Sequence, residues 1–381
     1  MTTHRVTILR VAGIPIRVDA SWIVIALVVT WSLAMEFTRS FPIRLNPGMA
    51  VATYWLMAVV AALGLFVCLI LHELGHSLVG QRFGMRIRSI TLFIFGGVAE
   101  LESEPRSAEA EFWMALAGPA VSVVLAAGLW FAWVAGSVAD WPVAVLGVLH
   151  ELAVINAVLV GFNLVPAFPL DGGRVLRAIL WAATGSLRRA TSITSQMGQG
   201  FGTAMMLLGV LGILGGQIVF GLWWMMLGWF LRGASQGGYQ QVMVRGVLEG
   251  EPVGRFMTRE VSSVRPDLDV QHLVEDFVYQ EHHQMYPVRD NGHLLGYVTP
   301  HEIKKLPRDE WPRHQVAEIM ASDLDRVEIT PETDSLDALS RMQRTDQRRL
   351  LVVDHGSLVG IVTLKDLLDF LSLKLELEAE G

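Results

Sequence analysis

The chain has 381 residues, 52% hydrophobic and 18% charged, with a mean hydropathy of +0.43, which excludes an ordinary soluble globular protein. Residues 1–235 carry 14 Lys/Arg and 11 Asp/Glu (net +3), whereas residues 236–381 carry 16 and 26 (net −10), together giving the formal −7. A membrane part is thus followed by an acidic polar part with little attraction for nucleic acid, and the lone Cys68 excludes an intramolecular disulfide framework.

About 20 apolar residues are needed to cross the hydrocarbon core as a helix. Six such spans are predicted, over 20–37, 52–79, 110–135, 143–165, 197–214 and 216–233. The first apolar run, from Trp22, is followed by no small-residue cleavage site, so it is expected to stay as a transmembrane helix. Arginines cluster before the first span (Arg5, Arg10, Arg17) and in the second loop (Arg82, Arg86, Arg88, Arg106). They cluster again in the fourth (Arg174, Arg177, Arg188, Arg189), whereas the first loop has only Arg39 and Arg44 and the third and fifth have none. The positive-inside rule then predicts a multi-pass protein of the cell membrane with both termini in the cytoplasm.

The second span contains VVAALGLFVCLILHELGHSL from Val59. His72 and His76 are four apart and project from one helix face, a spacing that holds zinc. Glu73, one step round, is placed to take a proton from water. Ionisable groups are costly in a bilayer, so this pattern is harder to assign to chance here than in a soluble protein. Cys68, one turn earlier, reads as a buried inert thiol.

Between the second and third spans, Ile87 to Glu102 (IRSITLFIFGGVAELE) is β-branched, aromatic and too short to span. It reads either as a sheltered re-entrant hairpin, whose edge could take up an unwound substrate strand, or as an interfacial loop without substrate contact. In the fourth span, His150 and Glu151 read as interfacial or helix-pairing residues and Asn156 as interhelical glue. At its end, Phe162 to Arg174 (FNLVPAFPLDGGR) breaks helix at Pro166 and Pro169. Asp171 there is the candidate third ligand, because two histidines leave a catalytic zinc one protein ligand short.

HELGH in one apolar segment, an FGG loop, and then N-x-x-P-x-x-P-L-D-G-G-R resemble the site-2 protease family of intramembrane zinc metalloproteases over most of residues 1–235. That resemblance implies one Zn2+ held by His72, His76 and Asp171, with Glu73 as general base. It further implies substrate contacts from Asn163 and from Gly96 and Gly97 of the loop.

The acidic part is a repeat. Residues 286–303 (YPVRDNGHLLGYVTPHEI) align with 350–367 (LLVVDHGSLVGIVTLKDL) at an offset of 64, each with strand, Asp-Xaa-Gly turn, strand and helix. This resembles a tandem pair of CBS domains. The resemblance implies an adenine nucleotide (ATP, ADP or AMP) held by Thr363 and Asp366, with Thr299 and Glu302 as counterparts in the first copy. Glu302 departs from the usual Asp there. Arg348 or Arg349 reads as a phosphate contact or as a solvated helix end. A structural or dimerising CBS pair is the alternative.

The fold expected is a polytopic α-helical membrane protein of about six transmembrane helices with a C-terminal α/β tandem CBS domain. Its parts are a membrane domain at 1–235, a linker at 236–251, a first repeat at 252–310, and a second repeat with tail at 311–381. The function expected is an intramembrane zinc endopeptidase that cuts membrane-anchored proteins near the cytoplasmic face. A homodimer through the CBS pair is compatible with it. The rival is a CBS-regulated transporter or channel using the same polar residues as an ion path.

Overall fold

The computed structural model describes residues 5–42, 49–94, 96–101 and 105–378; Arg44 and Glu102 lie outside them. The chain divides into two units, Met1–Val242 and Met243–Gly381.

Among the described residues of the first unit, six helices are long and apolar enough to cross a membrane. They are α1 (Ser21–Ser40), α2 (Val51–Arg82), α3 (Ala108–Val138), α4 (Val143–Asn163), α6 (Leu187–Leu214) and α7 (Ile218–Leu248). Each matches a predicted span; α6 and α7 run furthest beyond theirs, at 187–196 and 234–248, whereas α4 stops two residues short of the expected 165. The stretch read as a linker, 236–251, is helical as far as Leu248. The first strong stop signals are Gly250, at φ +82°, and Pro252. A seventh helix, α5 (Asp171–Thr184), is short and amphipathic and was not expected. Gly172 and Gly173 look like breakers, yet they form its first turn. A Cβ at either would strike the backbone of 164–168, so the close approach requires glycine.

Helices α1, α2 and α4 share a core built on Phe37, Tyr54, Met57 and Phe66. The hairpin of α6 and α7 packs through facing glycines seven apart. Gly202 lies against the Gly228 carbonyl and Gly209 against that of Gly221, each 2.6 Å from the position of an added Cβ. Small residues let transmembrane backbones approach this closely.

A four-stranded sheet accompanies the helices, in the order β1-β2-β3-β4: Arg5–Val11, Ile14–Asp19, Ile87–Phe93 and Gly96–Leu101. The segment that read as either a hairpin or a loop is the hairpin β3–β4. The N-terminal hairpin β1–β2 was not expected. It turns at Ala12-Gly13, both at positive φ, and β2 pairs parallel to β3 through Ile16↔Ile90 and Val18↔Leu92. Ile14, Ile16 and Ile90 are buried against Ile70 and Leu74 of α2, which fixes the sheet to the helix that carries the histidines.

The second unit contains the repeat as two hairpins in one sheet. They are β5–β6 (Tyr286–Asp290, His293–Val298) and β8–β9 (Arg349–Asp354, Ser357–Thr363), with β7 (Glu328–Ile329) parallel to β8. Both turns have the expected chemistry, since Asn291-Gly292 and His355-Gly356 all have positive φ. The bridge Val264↔Val288 in the first copy parallels Ile329↔Val352 in the second, one residue off the 64-residue offset.

Candidate metal centre

Helix α2 sets His72 and His76 one turn apart with both rings buried, and α5 brings Asp171 to them from 99 positions away in sequence. The His72 and His76 Nε2 atoms are 3.2 Å apart. Each is also 3.2 Å from a different oxygen of Asp171. Lone pairs facing each other at this distance repel unless a cation or proton lies between them. Tetrahedral zinc with bonds of ~2.0–2.1 Å spaces its ligand atoms about 3.3 Å apart, so the donor set fits that ion. These three are a group among the described residues whose ligand atoms lie close enough to share a metal.

The second nitrogen of each ring is also held. His76 Nδ1–H donates to the Met114 carbonyl at 2.7 Å, and His72 Nδ1 is 2.8 Å from Ser122 Oγ, both partners being on α3. A donor role for Nδ1 leaves the Nε2 lone pair free to face the metal position. Gly118, on the same face of α3, makes room for both rings. A Cβ there would overlap His76 and lie 2.7 Å from His72 Nε2.

Glu73 lies beside this cluster, half-buried, and β4 covers it. A Cβ on Gly97 would come within 2.6 Å of Glu73 Cγ and 3.1 Å of Oε1, so glycine lets the strand backbone pass directly over the carboxylate. Glu73, Gly96, Gly97, Asn163, Asp171 and Arg174 all border one cleft of about 600 Å3.

The loop before Asp171 is fixed by its neighbours. The Phe168 carbonyl accepts a hydrogen bond from Ser235 on α7, and Phe168 N–H donates to the Thr194 carbonyl on α6 at 3.2 Å. Behind it, Arg177 of α5 is fully buried and paired to the fully buried Glu111 of α3, with Nε donating at 2.6 Å. Arg174 is 3.9 Å from the same oxygen. Arg177, counted above as a loop charge, is therefore an internal partner of an acid.

Sequence reasoning missed Ser122, the Met114 carbonyl, Gly118, and the Glu111–Arg177 pair. Only Glu111 left a signal, as an acid inside a predicted span. His150 packs on Trp133 and Trp130, at 5.2 and 6.1 Å between ring centroids, and does not line the cleft. Asn156, read as interhelical glue, instead donates to the Leu152 carbonyl of its own helix at 2.8 Å. Cys68 is buried.

The remaining candidates belong to the second unit. Thr363 and Asp366 form a capping box on the helix Leu364–Glu378. Thr363 N–H and Oγ each donate to Asp366 Oδ2 at 2.8 Å, and Asp366 N–H donates to Thr363 Oγ at 3.2 Å. Thr299 and Glu302 make the same box at Pro300–Ile303, the longer Glu reaching back to the Thr299 N–H at 3.0 Å. Arg348 is exposed. Arg349 is half-buried and donates to Gln284 Oε1 at 3.1 Å, and burial and the adjacent Arg348 charge hold it below the usual guanidinium value.

Peptidase family M50 matches residues 60–146 and 132–209, and the CBS domain matches 253–309 and 316–373. A Synechocystis protein whose name assigns it to the zinc metalloproteases is 33% identical over 92% of this chain and 91% of its own. A zinc metalloprotease of Methanocaldococcus jannaschii is 29% identical over 99% and 98%. Among solved structures, the site-2 protease from Methanocaldococcus jannaschii is similar at 30% identity, over 61% of this chain and 94% of that one, with a TM-score of 0.43. With one residue in three shared along nine-tenths of a relative, the chain belongs to Peptidase family M50: it is a multi-pass membrane zinc metalloendopeptidase of the site-2 protease type that carries a tandem pair of CBS domains.

Proposed function

We propose that this enzyme cuts membrane-anchored proteins within a transmembrane segment, with His72, His76 and Asp171 as the ligands of one zinc ion and Glu73 as the general base. The convergence of three donor atoms at 3.2 Å spacing, beside a carboxylate and under a strand edge, carries this reading. Zinc held there supplies Lewis acidity, enough to bring the pKa of water to about 7 and to polarise a scissile carbonyl. Glu73 accepts the proton from the attacking water and returns it to the leaving amine. Asn163, which lines the same cleft, orients the substrate or donates to the developing oxyanion. Gly96 and Gly97 keep the β4 backbone open for pairing with an unwound, extended substrate segment. Unwinding costs less in a cleft bordered by the Pro-broken 164–170 loop than in free lipid, where every freed carbonyl is stranded.

Arginine placement supports cytoplasmic termini and a cut near the cytoplasmic face that releases a soluble fragment. The parallel pairing of β2 with β3 supports a cleft on the same side as the N-terminus. The domain reading is a catalytic membrane part over 1–235 and a regulatory CBS pair over 252–310 and 311–381. His76→Ala tests the core of the proposal: zinc per purified chain is expected to fall from one to near zero, and cleavage of a transmembrane peptide to stop. Cleavage by metal-free variant protein would refute the assignment.

The CBS pair binds an adenine nucleotide in this reading, with Thr363 and Asp366 on the ribose and Arg348 or Arg349 on phosphate. Calorimetric titration of the full-length protein with AMP, ADP and ATP is expected to give saturable heat with at least one, weakened at least about tenfold by Asp366→Ala. No heat with any of the three would leave the pair a structural or dimerising module. Gating of the protease by nucleotide further requires different affinities for two states of the enzyme.

A further inference from the structure

A second, smaller cavity of about 230 Å3 adjoins the cleft. Leu69, Phe93, Gly96, Phe162 and Leu227 border both spaces. Beyond them the side cavity is lined by Trp22 and Val29 of α1, Phe66 of α2 and Trp223 of α7, and no charged residue lines it. Trp22 and Phe66 pack against each other at 4.5 Å between ring centroids, so this wall is built of touching rings. Gly96 borders both spaces with φ +128°, a conformation suited to glycine, and it has no side chain to obstruct the way between them. Even a Cβ there would meet only Leu69 Cδ2, at 3.9 Å.

The volume is below the ~300–1,000 Å3 of ordinary small-molecule sites. It suits one large side chain, and the five residues it shares with the cleft, the unobstructing Gly96 among them, point to where that side chain comes from. A transmembrane segment drawn into a water-bearing cleft exchanges lipid for water around its apolar side chains, which opposes entry. A dry, aromatic-walled recess next to the scissile bond removes that opposition for one residue. In an extended segment, successive side chains alternate between faces, so a single position is selected.

We propose that this side cavity is a specificity subsite that receives one large apolar side chain, of the Leu, Met or Phe class, from the unwound substrate next to the cut. This rests on the peptidase reading above and adds a sequence preference to it.

The test uses full-length purified enzyme and a series of transmembrane peptides carrying Ala, Leu or Phe at each position flanking the cut, read as kcat/KM. The wild type is expected to prefer Leu or Phe over Ala by at least about tenfold at one position. Val29→Phe, which fills the recess from α1, is expected to reduce that ratio at least tenfold at that position alone. Ile25→Phe, from the same wall, serves if the first variant does not fold. No bulk preference in the wild type, or proportionate loss on all peptides in the filled variant, overturns the subsite. Stoichiometric co-purified lipid that Val29→Phe displaces, with peptide preference unchanged, also overturns it and gives the recess to an acyl chain. A wild type that cleaves none of the peptides refutes the proposed transmembrane-segment substrate class itself.

Discussion

Glu73→Gln is expected to keep one zinc per chain and to lose about 10²–10⁴-fold in kcat, the range that a positioned general base contributes. Glutamine has the same length and shape, so it fits under Gly97 as glutamate does. What it lacks is the ability to accept a proton. Because Glu73 is not one of the three converging donors, metal content is expected to be indifferent to the change. KM for a transmembrane peptide is expected to stay within a few-fold, since Asn163 and the β4 edge are untouched. The comparison with His76→Ala separates the roles: one variant loses zinc and activity together, the other activity alone. Robust turnover by the zinc-loaded Gln variant would remove Glu73 from the mechanism.

Gly118→Ala is expected to lower zinc affinity by at least about 10–100-fold and to abolish cleavage at ordinary zinc concentrations, the scale seen when outer partners of metal ligands are lost. One methyl group suffices because of where it falls. Its carbon would overlap His76 and sit 2.7 Å from His72 Nε2, pressing on both ligand atoms at once. Helix propensity works the other way, since alanine favours a helix over glycine by roughly 0.5–1 kcal/mol. A loss of zinc in a chain that still folds is therefore the specific result. Gly128→Ala, ten residues along the same helix, is the control: a Cβ there meets nothing within 4 Å, and zinc content is expected to be normal. Equal zinc in both variants would show that α3 can withdraw from the histidines, contrary to the packing described.

What could be read from sequence was whatever carries a local period or spacing. The six spans follow from hydropathy over about 20 residues, His72 and His76 from i, i+4, and the CBS copies from their 64-residue offset and Asp-Xaa-Gly turns. Asp171 was accessible because Pro166, Pro169 and the Gly pair mark an irregular backbone at the depth of the histidines. Gly118 is different. Its role lies in a contact across two helices, and nothing in AEAEFWMALAGPAVS distinguishes it from the glycines that pack α6 on α7. Ser122 and the Met114 carbonyl are hidden for the same reason. The hairpin β1–β2 escaped notice because its short apolar alternation gains a partner only at β3, far along the chain. Helix α5 was overlooked because Gly172-Gly173 argues locally against helix, and the close packing that requires glycine there is tertiary.

The parallel pairing of β2 with β3 also sets a schedule for making the protein. Ile16 and Ile90 are 74 positions apart. At about 5–20 residues per second, a ribosome needs roughly 4–15 s to deliver the partner strand. During that interval two spans must enter the membrane while the first hairpin waits with one edge unfilled, the kind of edge that recruits wrong partners. The strand over Glu73 joins this sheet only through β3. The wall of the cleft therefore shares one sheet with the earliest-made residues, and removing the first 19 residues would bare the β3 edge and leave the hairpin beside Glu73 held to α2 through Ile90 without Ile14 and Ile16.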